Sequence, residues 1–250
     1  MPLVSIITAC YDAEKFLEET YLSILRQTHG NWEWVVVDDR STDTSYDILA
    51  RLAKNDTRIK LLRNDVNLGA AASRNRAMKL AEGEFLAFLD ADDLWESKKL
   101  AMQLRFMIES DIGFSFTNYR VFTEGTDDIG RMIDGRAPER VGYHDMLGKR
   151  ATLGCSTVML RTRNLTSREM PDIRTGQDYA FWLKLLKSGG YAYRLDEPLS
   201  HYRVVQGSLS RNKAKKAVRQ WEIYRRVEGL SFLVASYYFL QYGWRAIFRR

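Results

Sequence analysis

Apolar and polar positions run along the first hundred residues in two alternating periods. Val4 to Ala9 is apolar and β-branched, and Trp32 to Val37, Ile59 to Arg63 and Phe85 to Leu89 repeat that character. Short apolar runs bounded by polar turns predict strands. Between them the spacing changes. Phe16, Leu17, Tyr21, Leu22, Ile24 and Leu25 fall near helical periodicity and predict a helix over Ala13 to Arg26. Thr44 to Asn55 reads as a second helix, with Thr42 or Asp43 as its cap, and Ala70 to Glu82 as a third, introduced by Asn67-Leu68-Gly69. Leu94 to Met107 suggests a fourth. Strand–helix–strand repetition of this kind predicts an α/β protein: a Rossmann-like, mostly parallel sheet with helices on both faces.

Polar residues recur where these strands end: Tyr11-Asp12, Asp38-Asp39, and Asp90-Ala91-Asp92-Asp93. In open α/β sheets, ligands bind at the carboxyl ends of strands, so the three groups should converge on one crevice. Three carboxylates within four positions repel one another unless neutralised. A divalent cation with oxygen ligands, Mn²⁺ or Mg²⁺, would do so; a polar turn capping the next helix is the alternative. Tyr11 can stack on a base or serve as a loop aromatic. Asp39 can accept the N3–H of a uracil or thymine, or with Asp38 it can be a turn residue before Ser41-Thr42. Arg74 near the start of the third helix can grip a phosphate or be a solvated helix arginine. No Walker A pattern and no G-x-G-x-x-G stands in the first βα turn, so phosphate neutralisation falls to a metal, which points to Asp92.

Composition adds limits. At 250 residues, 45% apolar and with four prolines, the chain is globular and long enough for a sizeable core. Two cysteines, Cys10 and Cys155, make neither a disulfide framework nor a zinc site and read as buried thiols in a reducing cytoplasm. Met1-Pro2-Leu3-Val4 does not resemble a signal peptide. The net charge of +6 is uneven: residues 211–250 carry ten Lys/Arg against two Glu, which leaves the first 210 at −2. A basic segment beside an acidic body suggests an anionic partner surface. Gly229 to Trp244 then runs sixteen residues without a charge, rich in aromatics and followed by Arg245, Arg249 and Arg250. That run is shorter than the ~20 residues a spanning helix needs. It reads as an interfacial or re-entrant anchor on anionic lipid, or else as a C-terminal helix packed on the domain or in a homodimer.

The blocks Val4-Ser5-Ile6-Ile7-Thr8-Ala9-Cys10-Tyr11-Asp12, Val35-Val36-Val37-Asp38-Asp39-Arg40-Ser41-Thr42-Asp43, Asn67-Leu68-Gly69 with Ala72-Ser73-Arg74-Asn75, and Leu89-Asp90-Ala91-Asp92-Asp93 together resemble glycosyltransferase family 2, with the GT-A fold. Four blocks in order over about ninety residues make the resemblance specific. It implies a nucleotide-sugar donor, usually a UDP-sugar, a divalent metal on its diphosphate, and inversion at the anomeric carbon. By position it places Thr8, Ala9, Tyr11, Asp38 and Asp39 at the nucleoside, Arg74 near the diphosphate, Asp90 and Ala91 at the sugar or ribose, and Asp92 on the metal. Arg40 departs from the pattern, which often has Gly there; the expected effect is on a turn.

The resemblance extends into the second half. Thr175-Gly176-Gln177-Asp178-Tyr179-Ala180-Phe181-Trp182-Leu183 is similar to a segment that opens an acceptor-side helix with an acidic pair. Gln177 replaces the first acid, and Asp178 stands as the candidate base; alone, it would read as a cap before the apolar face Phe181, Trp182 and Leu185. Leu153 to Leu160 resembles a strand beneath donor and acceptor. His201-Tyr202-Arg203 with Gly207-Ser208-Leu209-Ser210 resembles a segment folding over the nucleotide, with His201 as a further metal ligand or diphosphate donor. Glu124 to Pro138 reads as a mobile loop near the acceptor. The expected organisation is residues 1–210 as the glycosyltransferase domain (nucleotide half 1–110, acceptor half 111–210) and 211–250 as a basic, aromatic helical tail. The expected function is transfer of a sugar to a glycan or lipid-linked acceptor in cell-surface polysaccharide synthesis, at the inner face of the cell membrane. The alternatives are a sugar nucleotidyltransferase, which wants a basic Gly-rich loop that Thr8 to Glu14 lacks, or a non-catalytic nucleotide-sugar or nucleic-acid binding module. The basic residues abut an apolar run and the crevice is acidic, which argues against nucleic acid.

Overall fold

The strand runs of the first half fold as β1 (Val4–Cys10), β2 (Trp32–Asp38), β3 (Ile59–Arg63) and β4 (Phe85–Phe88). They pair in parallel in the order β3-β2-β1-β4. The computed structural model describes residues 1–123, 129–204 and 213–248. Connections after β1, β2 and β3 are the helices α1 (Leu17–Leu25), α2 (Ser45–Asn55) and α3 (Ala70–Leu80). The strand order reverses between β1 and β4, which is where an open α/β sheet leaves a crevice at its carboxyl edge.

Near-continuous apolar strands imply burial on both faces. Ile7, Val35, Val37 and Phe88 face one core with Ala77 and Met78 of α3. Ile6, Trp34, Val36 and Leu89 face the other with Leu17, Ile24 and Leu49 of α1 and α2. Both cysteines are buried free thiols.

The Leu94–Met107 stretch is not one helix. It divides into β5 (Leu94–Trp95) and α4 (Lys99–Glu109). Trp95 is held as strand by pairing with the later β10 and by an indole N–H donated to the Ser156 carbonyl at 2.7 Å, a long-range contact that overrides helical spacing.

The second half makes the sheet mixed. β6 (Phe114–Thr123), β7 (Ile129–Ile133), β8 (Arg140–Val141), β9 (Met159–Arg161) and β10 (Ala192–Val204) extend it, with β9 inserted antiparallel between β4 and β6. The stretch read as a mobile acceptor loop contains β7, paired with β6; residues 124–128 lie outside the described residues. The run read as a strand over Leu153 to Leu160 is a 3-10 turn at Cys155–Thr157 followed by β9.

Helices α5 (Tyr143–Leu147) and α6 (Gln177–Leu186) close the first core from below. Trp182 of α6 is fully buried, edge-on to Phe88 at 5.2 Å and to Phe114 at 5.5 Å, and these contacts fix the helix beneath the sheet. The C-terminal region is α7 (Lys213–Glu222), a π-turn at Ile223–Val227, and α8 (Phe232–Phe248). It is tied to α5: Tyr224 donates to the Leu147 carbonyl, Tyr143 donates to Glu228 at 2.6 Å, and Tyr238 shares a hydrogen bond with His144 at 2.7 Å.

Candidate active site

The loops after β1 and β2 are laced together by short polar side chains. Thr42 donates its N–H to Asp12 at 2.8 Å, and Ala13 donates to Ser45 Oγ at 2.8 Å. Arg40 in this lacing has φ +62°, the left-handed region that glycine occupies without cost. An L-residue there costs about 1–2 kcal/mol, against about 0.5–1 kcal/mol of extra chain entropy for glycine. Arg40→Gly should therefore raise stability by about 0.5–1 kcal/mol, read as a melting shift of about 2 °C with nucleotide affinity unchanged. A lower melting temperature would show that the arginine side chain holds the turn.

Several residues assigned to the donor have structural partners. Asp39 is buried; its carboxylate accepts Asn64 Nδ2 at 2.7 Å and the N–H groups of Leu68 and Gly69 at 2.8 and 2.7 Å. It thereby fastens the end of β2 to the start of α3, with one lone-pair site left on Oδ2. Asp38 is fully buried against Arg63 Nε at 3.1 Å and leaves no surface for a ligand. Thr8 is likewise sealed: its hydroxyl donates to the Leu89 carbonyl and accepts the Trp34 indole N–H, both at 2.8 Å. These two belong to the scaffold. Tyr11 stands out of the same loop, 49% exposed, and Ala9 reaches the surface in part.

Arg74 is buried, not solvated. Its Nη2 donates to Asp90 Oδ1 at 2.5 Å, while Nε and Nη1 have no partner among the described residues. Buried unpartnered guanidinium donors lining a cavity are a site for an anionic ligand.

Asp92 is half-buried beside Asp90, and no side chain among the described residues forms an ion pair with it. Burial first, then the Asp90 charge, push its carboxyl up to about 6. No group of three or more His, Cys, Asp or Glu side chains suited to a metal exists among the described residues. One or two carboxylates that want a cation fit an ion completed by substrate phosphates and water, the habit of Mg²⁺ and Mn²⁺.

Asp93 does something the sequence did not suggest. Its buried carboxylate accepts Ser156 Oγ at 2.6 Å and the Arg203 N–H at 3.0 Å. Burial, then Asp92 and Asp90, hold it well above the usual carboxylate range. Arg203 donates Nε to the Asp92 carbonyl at 2.8 Å and Nη2 to Glu19 at 2.5 Å. The acidic loop is thus lashed to both the 155–157 turn and β10.

That lashing fixes the faces of β10. Ser200, Tyr202 and Val204 line the central cavity, while His201 and Arg203 alternate to the opposite side. His201 Nε2 shares a 2.6 Å hydrogen bond with Glu96, and the ring packs edge-on against Phe122. The His201 ring is engaged by Glu96, and no hydrogen bond joins His201 to Asp92 among the described residues. Gly207 to Ser210 lie outside the described residues.

The cavity measures about 670 Å³. Arg74, Asp90, Cys155 and Asp178 all line it, and the Asp178 charge acts on Arg74. Gly176, with φ +76°, turns the chain into α6 and delivers Asp178 in the helix's first turn, at the cavity surface. Lys216, Arg219 and Gln220 of α7 also line it, so a segment that reads in sequence as a separate tail supplies part of the site. Lys and Arg spaced three apart on a basic helix gave no signal of that placement.

A nucleotide-type sheet with an acidic loop at its switch point places a ligand crevice at the carboxyl edge of the strands. The model of the family Glycosyl transferase family 2 matches residues 5–194, and the chain belongs to that family. It is 44% identical over 249 residues to the "Putative teichuronic acid biosynthesis glycosyltransferase TuaG" of Bacillus subtilis (strain 168), covering all of this chain and 98% of that one. It is 39% identical over 223 residues to the UDP-Glc:alpha-D-GlcNAc-diphosphoundecaprenol beta-1,3-glucosyltransferase WfgD of Escherichia coli, covering 88% and 85% of the two chains. The fold matches S. aureus TarS 1-349 in complex with UDP-GlcNAc (TM-score 0.73, 24% identity, 91% of this chain and 65% of that one). It also matches the mannosyltransferase PcManGT from Pyrobaculum calidifontis in complex with GDP-Man and Mn2+ (TM-score 0.71, 19% identity, 95% and 70%). The GT-A expectation holds, and membership in this family sets the nucleotidyltransferase alternative aside.

Proposed function

We propose that this protein is a metal-dependent, inverting glycosyltransferase that moves a sugar from a UDP-sugar to a lipid-linked glycan during cell-surface polysaccharide synthesis. The observation that carries the reading is the placement of Asp178 and the Arg74–Asp90 pair in the lining of one cavity. The relatives' names, with UDP-glucose as donor and a diphosphoundecaprenol-linked acceptor for WfgD, support the substrate classes.

The roles follow from position. Tyr11 offers an exposed ring to the base, and Asp39, already fixed by three donors, offers its remaining lone pair. Arg74 directs its unpartnered nitrogens at the donor's diphosphate. Asp90, held by Arg74, faces the sugar, with Ala91 packed beneath. Asp92 would hold Mn²⁺ or Mg²⁺, which when bound offsets the charge of the departing diphosphate. Asp178 takes the proton of the acceptor hydroxyl as that oxygen forms the new bond on the opposite face of the sugar ring, inverting the anomeric carbon in one displacement. The 155–157 turn, tied down by Asp93, Trp95 and Ser200, keeps the floor of the cavity from moving.

The membrane reading rests on α8. One face packs on the domain through Ala235, Tyr238 and Phe239. The other bares Leu233, Tyr237, Leu240 and Trp244, beside exposed Arg225 and Arg226. No helix among the described residues is long and apolar enough to cross a bilayer. An in-plane helix on anionic lipid, not a re-entrant one, fits a segment already docked along its length.

UDP binding by calorimetry, with and without Mn²⁺, tests the donor site. A charge-assisted contact contributes about 1.5–3 kcal/mol, so Asp92→Ala should weaken Mn²⁺-dependent UDP binding about 10- to 100-fold. Tight UDP binding that ignores both Mn²⁺ and Asp92 would overturn the metal role; absence of UDP binding altogether would overturn the donor.

A further inference from the structure

The cavity carries more positive charge than its donor end uses. Lys216, Arg219 and Gln220 sit on one face of α7 and line the cavity. Arg174 reaches the same cavity from the loop before α6, with its charge acting on Tyr11 of the donor-side loop. No hydrogen bond or ion pair engages Lys216, Arg219 or Arg174 among the described residues, whereas Arg74 in the same cavity has a carboxylate partner. Gln220 is almost fully buried, and its side-chain Nε2 has no acceptor among the described residues. A buried amide donor and three unneutralised cations facing one space are an arrangement that an anion completes. Burial and the adjacent Arg219 charge lower the Lys216 pKa, the signature of cations gathered without a counter-ion.

Position says which anion. The Arg219 stem lies against Gly176: a Cβ there would meet Arg219 Cδ at 3.2 Å and Nε at 3.3 Å. Gly176 stands two residues before Asp178, so the cationic patch begins beside the base, on the acceptor's side of the reacting centre. The donor's diphosphate already has the unpartnered Arg74 nitrogens. Trp221 of α7 packs edge-on against Phe232 and Phe239 of α8, so the same element that presents these cations is joined to the helix with the bare apolar face.

We propose that Lys216, Arg219 and Gln220 form an anion subsite for a diphosphate carried by the acceptor, one sugar beyond the attacking hydroxyl. This rests on the glycosyltransferase reading above and adds to it the residues that would recognise the acceptor's charged end. The pairing is geometric: guanidinium and ammonium groups take up phosphate oxygens, and the Gln220 amide adds a neutral donor. The diphosphate can belong to a lipid-linked glycan or to a soluble phosphorylated one; the chemistry is shared.

The test is calorimetry on the full chain with UDP and Mn²⁺ held at saturation, so that the donor site is filled. The probes are decyl diphosphate and inorganic pyrophosphate. UDP affinity is measured first and independently, so a failure of the donor reading is seen separately. Wild type should bind a second anion in this state, and the Lys216→Ala/Arg219→Ala double variant should bind it at least about tenfold more weakly. UDP affinity should change less than about twofold. Arg219→Lys should keep most of the anion affinity, which separates lost charge from a disturbed helix. Decyl diphosphate binding about tenfold tighter than pyrophosphate assigns the subsite to a lipid-linked acceptor; equal binding assigns it to a soluble one. The proposal is overturned if UDP-saturated protein takes up neither probe, if the double variant binds both like wild type, or if UDP affinity falls in parallel, which would give these cations to the donor.

Discussion

Asp178→Asn should lower kcat about 10³-fold while leaving UDP affinity within about threefold and the melting temperature within about 2 °C. General-base assistance contributes about 10²–10⁴-fold, and asparagine keeps the shape but cannot take a proton at neutral pH. The side chain is half-buried at the cavity wall, in the first turn of α6. The amide end of a helix favours a carboxylate at that position. Stability should be indifferent, because no hydrogen bond or ion pair of the described residues depends on the Asp178 carboxylate. α6 is anchored instead by Trp182 between Phe88 and Phe114. Measurement needs kcat and the donor KM on one acceptor, with Asp178→Glu alongside. A variant retaining more than a tenth of wild-type kcat would move the base elsewhere. A proportional loss of UDP affinity would make Asp178 a donor contact instead.

How far the sequence carried this reading follows from the reach of its signals. The β1–α1–β2–α2–β3–α3–β4 succession was legible because each element is defined by its own residues: apolar runs for strands and 3.6-residue spacing for helices. The acidic loop and Asp178 were legible through motif resemblance. What escaped depends on residues far apart in the chain. Trp95 is a strand residue only because β10 arrives a hundred positions later. Asp93 looks like a third member of an acidic cluster until Ser156 and Arg203 are seen to claim it. Thr8 and Asp38 sit in the right block, yet their neighbours Trp34, Leu89 and Arg63 turn them into scaffold. His201 reads in sequence as a candidate metal ligand, and its partner Glu96, over a hundred positions away, is seen only in the fold. The placement of α7 had no sequence signal, since a basic helix covering a cavity and one resting in solvent have the same composition.

Leu233→Glu combined with Leu240→Glu should reduce binding to vesicles of anionic phospholipid by at least about 10²-fold, with the fold intact. Leu233 is 79% exposed and Leu240 73%, and with Tyr237 at 59% and Trp244 at 65% they occupy positions i, i+4, i+7 and i+11 of α8, one stripe of a helix. Burying a leucine contributes about 1.5–3 kcal/mol. Losing two therefore removes about 3–6 kcal/mol of membrane affinity, or two to four powers of ten. Both residues already face solvent, so the substitutions create no cavity in the core and should leave the melting temperature in place. Arg225 and Arg226 at the same surface make the interaction salt-sensitive: neutral vesicles, or anionic ones at high salt, should bind wild type more weakly. Co-sedimentation reads all of these. Undiminished vesicle binding by the double variant would take the membrane contact away from α8. Unchanged vesicle binding together with a shift from dimer to monomer in sedimentation velocity would give the stripe to a second copy of the chain. If the stripe does rest on lipid, α7 is held at the bilayer with its cations in the cavity. Activity on a lipid-linked acceptor should then fall with vesicle binding, while activity on a soluble glycan should not.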